Sequence, residues 1–252
     1  MSPALRKPAG AAATLAGLVA LWAAAAAILR LPFVPSPMAT AAAFSRLVAD
    51  GTIVRHAGAS ALRVVAAMLA AFPPAAALGM AAGRSSRLDL VVAPLVYLFH
   101  PLPKVAFLPV IMLALGLGEG SKVALVGFII FSQILVAARD SARRIPAELV
   151  DSVRSLGGGR AALVAHVIVP ATLPDMITSV RVSLGTAVAV LFMAETFATD
   201  TGLGWLIVDA WSRVAYAEMY AAIAALGIVG LCLFALVDAA ERVLCPWAGR
   251  QS

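Results

Sequence analysis

Four ionisable residues, Arg63, Lys104, Arg181 and Glu195, stand inside stretches otherwise almost free of charge. A charged group at membrane depth is costly, so each one marks a polar path through the chain or a partner elsewhere in it. Along a path, three cations against one acid favour an anionic solute. The competing reading is that these residues pair with one another, or reach to the headgroups with their charged ends. Glu195 stands near the end of its stretch and Lys104 nearer the middle of its own. Helical rise offsets the two by about 10 Å, so spacing alone does not pair them.

Other chemistry is poorly supported. Gly58-Ala59-Ser60 resembles the opening of an intramembrane serine protease motif, but Ala61 stands where a second glycine belongs. No histidine falls at mid-depth in a later apolar stretch. A serine in a helix more often bonds back to its own backbone. His56, His100 and His166 are isolated, so no metal site is expected. Cys232 and Cys245 fall on one helix, about 20 Å apart, too far for a disulfide. No G-x-x-x-x-G-K-[ST] phosphate loop occurs, and GLGEGSK at 116–122 lacks the glycine-lysine pair. The chain is therefore expected to hold no catalytic residue and no cofactor. Any ATP used would be hydrolysed by a separate subunit.

The elements that must position these residues follow from composition. Charged residues are 13% of the chain, against roughly 25% in soluble domains, and the mean hydropathy is +0.98. The chain is expected to be an all-α, polytopic membrane protein forming a single transmembrane domain over residues 1–252. A bilayer core of about 30 Å needs about 20 apolar residues per crossing. That criterion gives about six transmembrane helices, near 10–31, 56–83, 88–115, 122–138, 172–197 and 219–244. The first could be a signal peptide behind Arg6 and Lys7, but its apolar run exceeds the usual 7–15 residues of a signal core, so a retained helix is expected.

The net charge of +6 does not point to nucleic acid, because the basic residues lie in small groups between apolar stretches. Arg6, Lys7, Arg84, Arg87, Arg139, Arg143, Arg144, Arg154, Arg160, Arg242 and Arg250 fall on one side, eleven in all, against five on the other: Arg30, Arg46, Arg55, Lys122 and Arg213. Cytoplasmic loops carry the excess, so both termini and the middle loop, about 139–171, are expected in the cytoplasm. FPP at 72–74 is expected to interrupt the second crossing, and HPLPKVAFLP at 100–109 the third, since proline removes an amide donor. Gly79 and Gly83 form a GxxxG suited to close helix contact. The GLG turn before Trp205 resembles a re-entrant or gate segment at the outer face of membrane permeases, but Trp205 and Trp211 equally read as interfacial anchors, the favoured reading.

The middle loop contains ELVDSVRSLGGGRAALVAHVIVPATLP at 148–174. Pro146 suits a first helical turn, where a missing amide costs nothing. Leu149, Val153 and Leu156 recur at spacings of four and three, with Val150 beside them, and polar residues fill the other faces. Gly157 then stands where a helix stop is expected. The segment reads as a short amphipathic helix of about three turns at the cytosolic surface. A membrane-surface helix would explain the stripe alone, but not the acid, glycine and proline at these offsets.

The loop resembles the EAA loop of permease subunits of ABC importers, in which an acid and small residues precede a glycine, followed by an apolar stretch and a proline. Glu148 can take the acidic place, with Leu149 and Val150 where small residues are usual. In a second, favoured register Asp151-Ser152-Val153 fills the opening and Gly157 falls at its usual distance. Ile168-Val169-Pro170 matches the apolar-proline end. HAGASALRVVAAMLAAFPPAAALGMAAGRSSRLD, PLPKVAFLPVIMLALGLGEGSK, AETFATDTGLGWLI and DAAERVLCPW resemble the branch importing sulfonates, taurine and nitrate.

The resemblance implies a type I permease fold with a cytoplasmic coupling helix. It also implies an ATPase subunit, an extracytoplasmic solute-binding protein and a second permease copy. In such importers the helix docks into a groove on the ATPase. Leu149, Val153 and Leu156 would form the ridge, Glu148, Asp151 and Arg154 the polar contacts, and Gly157 the turn. A ridge buried among charges suits such a contact. The alternative is a secondary transporter, which broken helices and buried charges also fit. That reading leaves the docking helix unexplained, and no convincing inverted repeat is found.

Overall fold

A computed structural model of the chain describes residues 3–99, 102–197 and 199–247, with side chains from residue 13 onward except at 99. His100 and Arg250 lie outside the described residues. Every regular element among the described residues is helical: α1 (Pro3–Leu29), α2 (Pro37–Ala49), α3 (Thr52–Arg84), α4 (Ser86–Phe99), a 3-10 turn (Lys104–Phe107), α5 (Leu108–Leu115), α6 (Glu119–Arg143), α7 (Ala147–Ser155), α8 (Arg160–Leu163), a π turn (Val164–Ile168), α9 (Val169–Glu195), α10 (Leu203–Ser212) and α11 (Tyr216–Leu244). Among the described residues four helical stretches are long and apolar enough to cross a membrane: Thr52–Arg84, Glu119–Arg143, Arg160–Glu195 and Tyr216–Leu244. Ala13–Leu29 and Lys104–Leu115 are shorter apolar helices. The chain divides into two compact units, Met1–Ala59 with Asp200–Gly227, and Ser60–Thr199 with Ile228–Ser252.

In the second unit the core is built on α6 and α9. Leu125, Val126, Ile129, Ile130, Ile134 and Ala138 repeat at three- and four-residue spacing along α6 and are buried. Met176, Val180, Leu184, Ala187, Leu191 and Ala194 do the same on α9. Each set makes the apolar stripe that a helix buries against a neighbour. The glycines of α3 let it approach α6 closely. A Cβ on Gly79 would stand 2.7 Å from Ala138 Cβ and 2.5 Å from the Leu135 carbonyl oxygen, and one on Gly83 2.8 Å from Ala142 Cβ. In the first turn of α4, Asp89 accepts from Arg139 Nε at 2.5 Å and Arg143 Nη1 at 3.0 Å, fixing α4 to α6.

The prolines act unequally. HPLPKVAFLP breaks its stretch as expected, with α4 ending at Phe99 and helix resuming as the 3-10 turn at Lys104. FPP does not interrupt: α3 runs through Pro73 and Pro74 for 33 residues. The flanking Ala71, Ala75 and Ala76 are buried, and neighbouring packing is what lets a membrane helix absorb prolines. The fifth stretch likewise becomes helical at Arg160 rather than near 172. A π turn over Val164–Ile168 precedes Pro170, a local widening that accommodates a disturbed hydrogen-bond ladder.

In the first unit Trp22 stacks on Tyr220 with centroids 5.7 Å apart. Ser36 caps α2, its Oγ accepting from the Ala39 amide at 3.2 Å. Asp50 accepts from the Thr52 amide at 2.9 Å where α3 begins, and that bond holds its carboxyl below the usual carboxylate range. Its contribution is therefore present above the ordinary carboxylate pKa and lost as acid titrates the folded group.

At the end of α10 the Ala215 amide bonds the Ala210 carbonyl at 2.8 Å and the Val214 amide the Trp211 carbonyl at 3.0 Å. This is a Schellman stop whose left-handed position, usually glycine, is held by Val214 at φ 60°. A left-handed L-residue costs about 1–2 kcal/mol, part of which glycine returns as unfolded-chain entropy. Val214 is exposed and loses little packing when truncated. Val214→Gly should therefore raise stability by about 0.5–1 kcal/mol, read as a higher melting temperature in detergent. A lower one would mean that the valine side chain makes a stabilising contact.

Candidate functional site: a short surface helix and a buried ion cluster

Helix α7 is nine residues long, with Pro146 as its N-cap residue, one position earlier than a first-turn proline. Leu156 is the C-cap, and Gly157 follows at φ +78°. The Gly157 amide bonds the Arg154 carbonyl and the Gly158 amide the Val153 carbonyl, both at 2.9 Å. Two orphan carbonyls are thereby satisfied at a left-handed position that glycine adopts without a Cβ clash.

The stripe splits between two directions. Val150 is 3% exposed and packs with Ile145, Val167 and Ile168, while Val153 is half-buried against the same cluster. Leu149 and Leu156 face away, with Leu156 88% exposed. Glu148, Asp151 and Arg154 are exposed beside them, Arg154 standing 3.7 Å from Asp151 across one turn. The helix is thus anchored on one side and presents two leucines flanked by charges on the other. Pro170 lies in the first turn of α9, beyond the π turn.

Arg63 and Glu195, two of the four intramembrane ionisable residues, meet. Arg63 is 3% exposed and Glu195 0%. Arg63 Nη1 donates to Glu195 Oε1 at 2.6 Å. Its Nε and Nη2 donate to the two oxygens of Glu119 at 2.5 and 2.6 Å, a bidentate pair. Ser60 Oγ lies 2.8 and 2.9 Å from the two Glu195 oxygens. The serine of the protease-like GAS is therefore a donor in this cluster. Lys122, also buried, directs Nζ to the Leu117 and Gly118 carbonyls, each at 3.4 Å. The cluster ties α3, α6 and α9 together.

Arg181 of α9 is paired with Asp238 at 2.8 Å and with Glu241, both on α11. Lys104 has no acceptor among the described residues and lines a cavity between α4 and α6. Sequence reasoning missed Glu119, Asp238 and Glu241. The signal for the last two was present: they stand three apart on one face of the sixth stretch, opposite in charge to Arg181. Elsewhere, His56 is buried, stacks on Trp205 at 5.2 Å and places Nδ1 3.1 Å from the Gly202 carbonyl oxygen. Trp205 is thus held by a ring contact with His56, while Trp211 is exposed. Among the described residues no group of three or more metal-ligating side chains occurs.

Residues 75–250, which carry α7 and much of the ion cluster, match the model of the family described as binding-protein-dependent transport system inner membrane component. The chain belongs to this family of transport permeases. It is 32% identical over 200 residues to the taurine transport system permease protein TauC of Escherichia coli (strain K12), covering 79% of this chain and 73% of that one. The putative aliphatic sulfonates transport permease protein SsuC of Bacillus subtilis (strain 168) is 28% identical, covering 84% and 77%. The riboflavin transport system permease protein RibX of Chloroflexus aurantiacus is 30% identical, covering 97% and 91%. The all-helical fold with several membrane-crossing helices agrees with an ABC permease. A transport permease is not an enzyme family.

Proposed function

We propose that this permease is the membrane subunit of an ATP-driven importer, and that α7 is the helix through which a cytosolic ATPase drives it. The observation that carries the reading is the divided face of α7. Val150 fixes the helix to the body of the permease, while Leu149 and Leu156 stand clear with Glu148, Asp151 and Arg154 around them. A rigidly anchored ridge transmits movement, and apolar contact with a charged rim sets affinity and register. The distribution of basic residues supports the orientation, with both termini and α7 in the cytoplasm of a cell inner membrane.

The ATPase binds and hydrolyses the ATP. An extracytoplasmic binding protein delivers the solute, and a second copy of the chain completes the path. The solute is a small molecule carrying an anionic group, such as a sulfonate, taurine or nitrate, in keeping with the names of the taurine and sulfonate relatives. Arg63, Lys104, Arg181 and Glu195 are the path candidates. Of these, Lys104 is the cation best placed to meet solute, because Arg63 and Arg181 face carboxylates.

The test is co-expression of the tagged chain with its neighbouring genes, purification in detergent and identification of the subunits that come with it. Leu149→Asp with Leu156→Asp should abolish ATPase co-purification while leaving the yield and melting temperature of the permease unchanged, since both side chains are exposed. An ATPase that stays bound to the double variant, or none bound to the parent, would overturn the docking role.

A further inference from the structure

We infer that the cleft beside the first turns of α4 binds an anionic phospholipid of the surrounding bilayer, with its phosphate among arginines and an acyl chain along α4. The cleft lies wholly within the second unit, between the end of α3, the start of α4 and the end of α6, and holds about 710 Å³. Ligand clefts run from about 300 to 1,000 Å³. One end of it is polar. Arg84, the last residue of α3, and Arg143, the last of α6, line that end with Ser86, the first of α4. Arg84 Nη1 donates to the carbonyl of Ala142, next in sequence to Arg143, at 3.5 Å.

The charges favour a single phosphodiester. Asp89 also lines the cleft, but its two oxygens are taken by Arg139 at 2.5 Å and Arg143 at 3.0 Å. Arg139 donates to Asp140 as well, at 3.1 Å. Arg84, Arg139 and Arg143 against Asp89 and Asp140 leave one positive charge, and Arg84 meets no carboxylate among the described residues. A guanidinium is suited to phosphate because its N–H donors match two oxygens at once. The other end of the cleft is apolar. Leu90, Ala93, Pro94 and Tyr97 continue the lining along the face of α4 that Ser86 begins. From Ser86 to Tyr97 the helix rises about 16 Å, close to half of a hydrocarbon core about 30 Å thick. That is the depth of one leaflet. Leu90 is 76% exposed and Tyr97 78%, with the short Ala93 between them. An extended alkyl chain fills such a notch, whereas a free phosphate would leave it bare. Basic pockets between membrane helices on the cytoplasmic side take acidic headgroups in this way.

The site goes beyond the importer reading and needs no ATPase, so the two stand or fall separately. The full chain is purified in detergent and titrated with dioleoylphosphatidylglycerol or dioleoylphosphatidylcholine, and bound lipid is counted by native mass spectrometry. The two lipids share their tails and their phosphate and differ in net charge. Phosphatidylglycerol should bind about ten-fold more tightly. Arg84→Gln should weaken it about five-fold, while Arg87→Gln should leave it nearly unchanged, because Arg87 is exposed but does not line the cleft. Ala93→Trp fills the notch without altering charge and should also weaken phosphatidylglycerol. Inorganic phosphate in excess should not displace the lipid. Melting curves of each variant confirm that it is folded.

Equal binding of the two lipids, or binding unaffected by Arg84→Gln, would overturn the site. Equal losses in Arg84→Gln and Arg87→Gln would overturn it too, since they would mean attraction to a diffuse basic surface. Displacement by inorganic phosphate, or full binding to Ala93→Trp, would overturn the lipid as occupant and leave a site for a free anion.

Discussion

Replacing Arg63 by methionine should destabilise the folded permease by about 3–5 kcal/mol. The guanidinium is almost wholly buried and faces Glu195, which is wholly buried, on another helix. Removing it breaks the buried ion pair with Glu195, and breaking a buried pair by removing one member is among the costliest single changes. The outcome depends on what happens to Glu195. In Arg63→Met with Glu195→Leu both charges of the pair are replaced by apolar groups, so most of the lost stability should return, less what Ser60 loses with its acceptor. Glu119 is largely exposed and its carboxylate can turn to water. The readout is thermal and denaturant unfolding in detergent for the two single variants and the double. If Arg63→Met melts with the parent, the cluster does not hold α3, α6 and α9 together, and Arg63 becomes a path residue in its own right.

Gly79→Val should be comparably damaging for a steric reason. An added Cβ at Gly79 would stand 2.5 Å from a backbone oxygen of α6 and 2.7 Å from Ala138 Cβ, so α3 and α6 would have to separate. Overpacking of this kind costs about 1–3 kcal/mol for small insertions and more when backbone must move. Gly79→Ala should fall at the lower end of that range and Gly79→Val beyond it, with loss of monodisperse protein on size exclusion. Gly58, on the same helix, is the internal control, because a Cβ there meets nothing within 4 Å. Gly58→Ala should gain about 0.5–1 kcal/mol from helix propensity alone. If Gly79→Ala gained as Gly58→Ala does, the close approach of α3 and α6 would be wrong.

Local rules carried much of α7. Its stripe, the acid Glu148 in its first turn and its glycine stop are short-range features, and a Schellman turn needs only the residues that make it. They did not tell which side of the stripe is anchored. That depends on Ile145, Val167 and Ile168, which meet Val150 only when the flanking helices are placed. The FPP and the Pro170 segment were misjudged for a related reason. A proline's local cost is fixed, but whether a helix survives it depends on the neighbours, and here helix continues through both.

The sequence by itself determined that this chain is a multi-helix membrane protein, because the cost of burying charge and backbone in hydrocarbon leaves a one-dimensional record of apolar runs and basic loops. It also determined the place and length of the surface helix and the broken third stretch at Lys104. Only the tertiary structure decided which intramembrane charges are matched. Arg63 finds Glu119 and Glu195 from 56 and 132 residues away, and Arg181 finds Asp238 and Glu241 from 57 and 60. Pairing of this kind turns on distances of 2.5 to 4 Å between helices, and no rule of spacing within one helix reports them. What remained after the pairing was Lys104, beside an apolar cavity whose walls come from helices far apart in the chain.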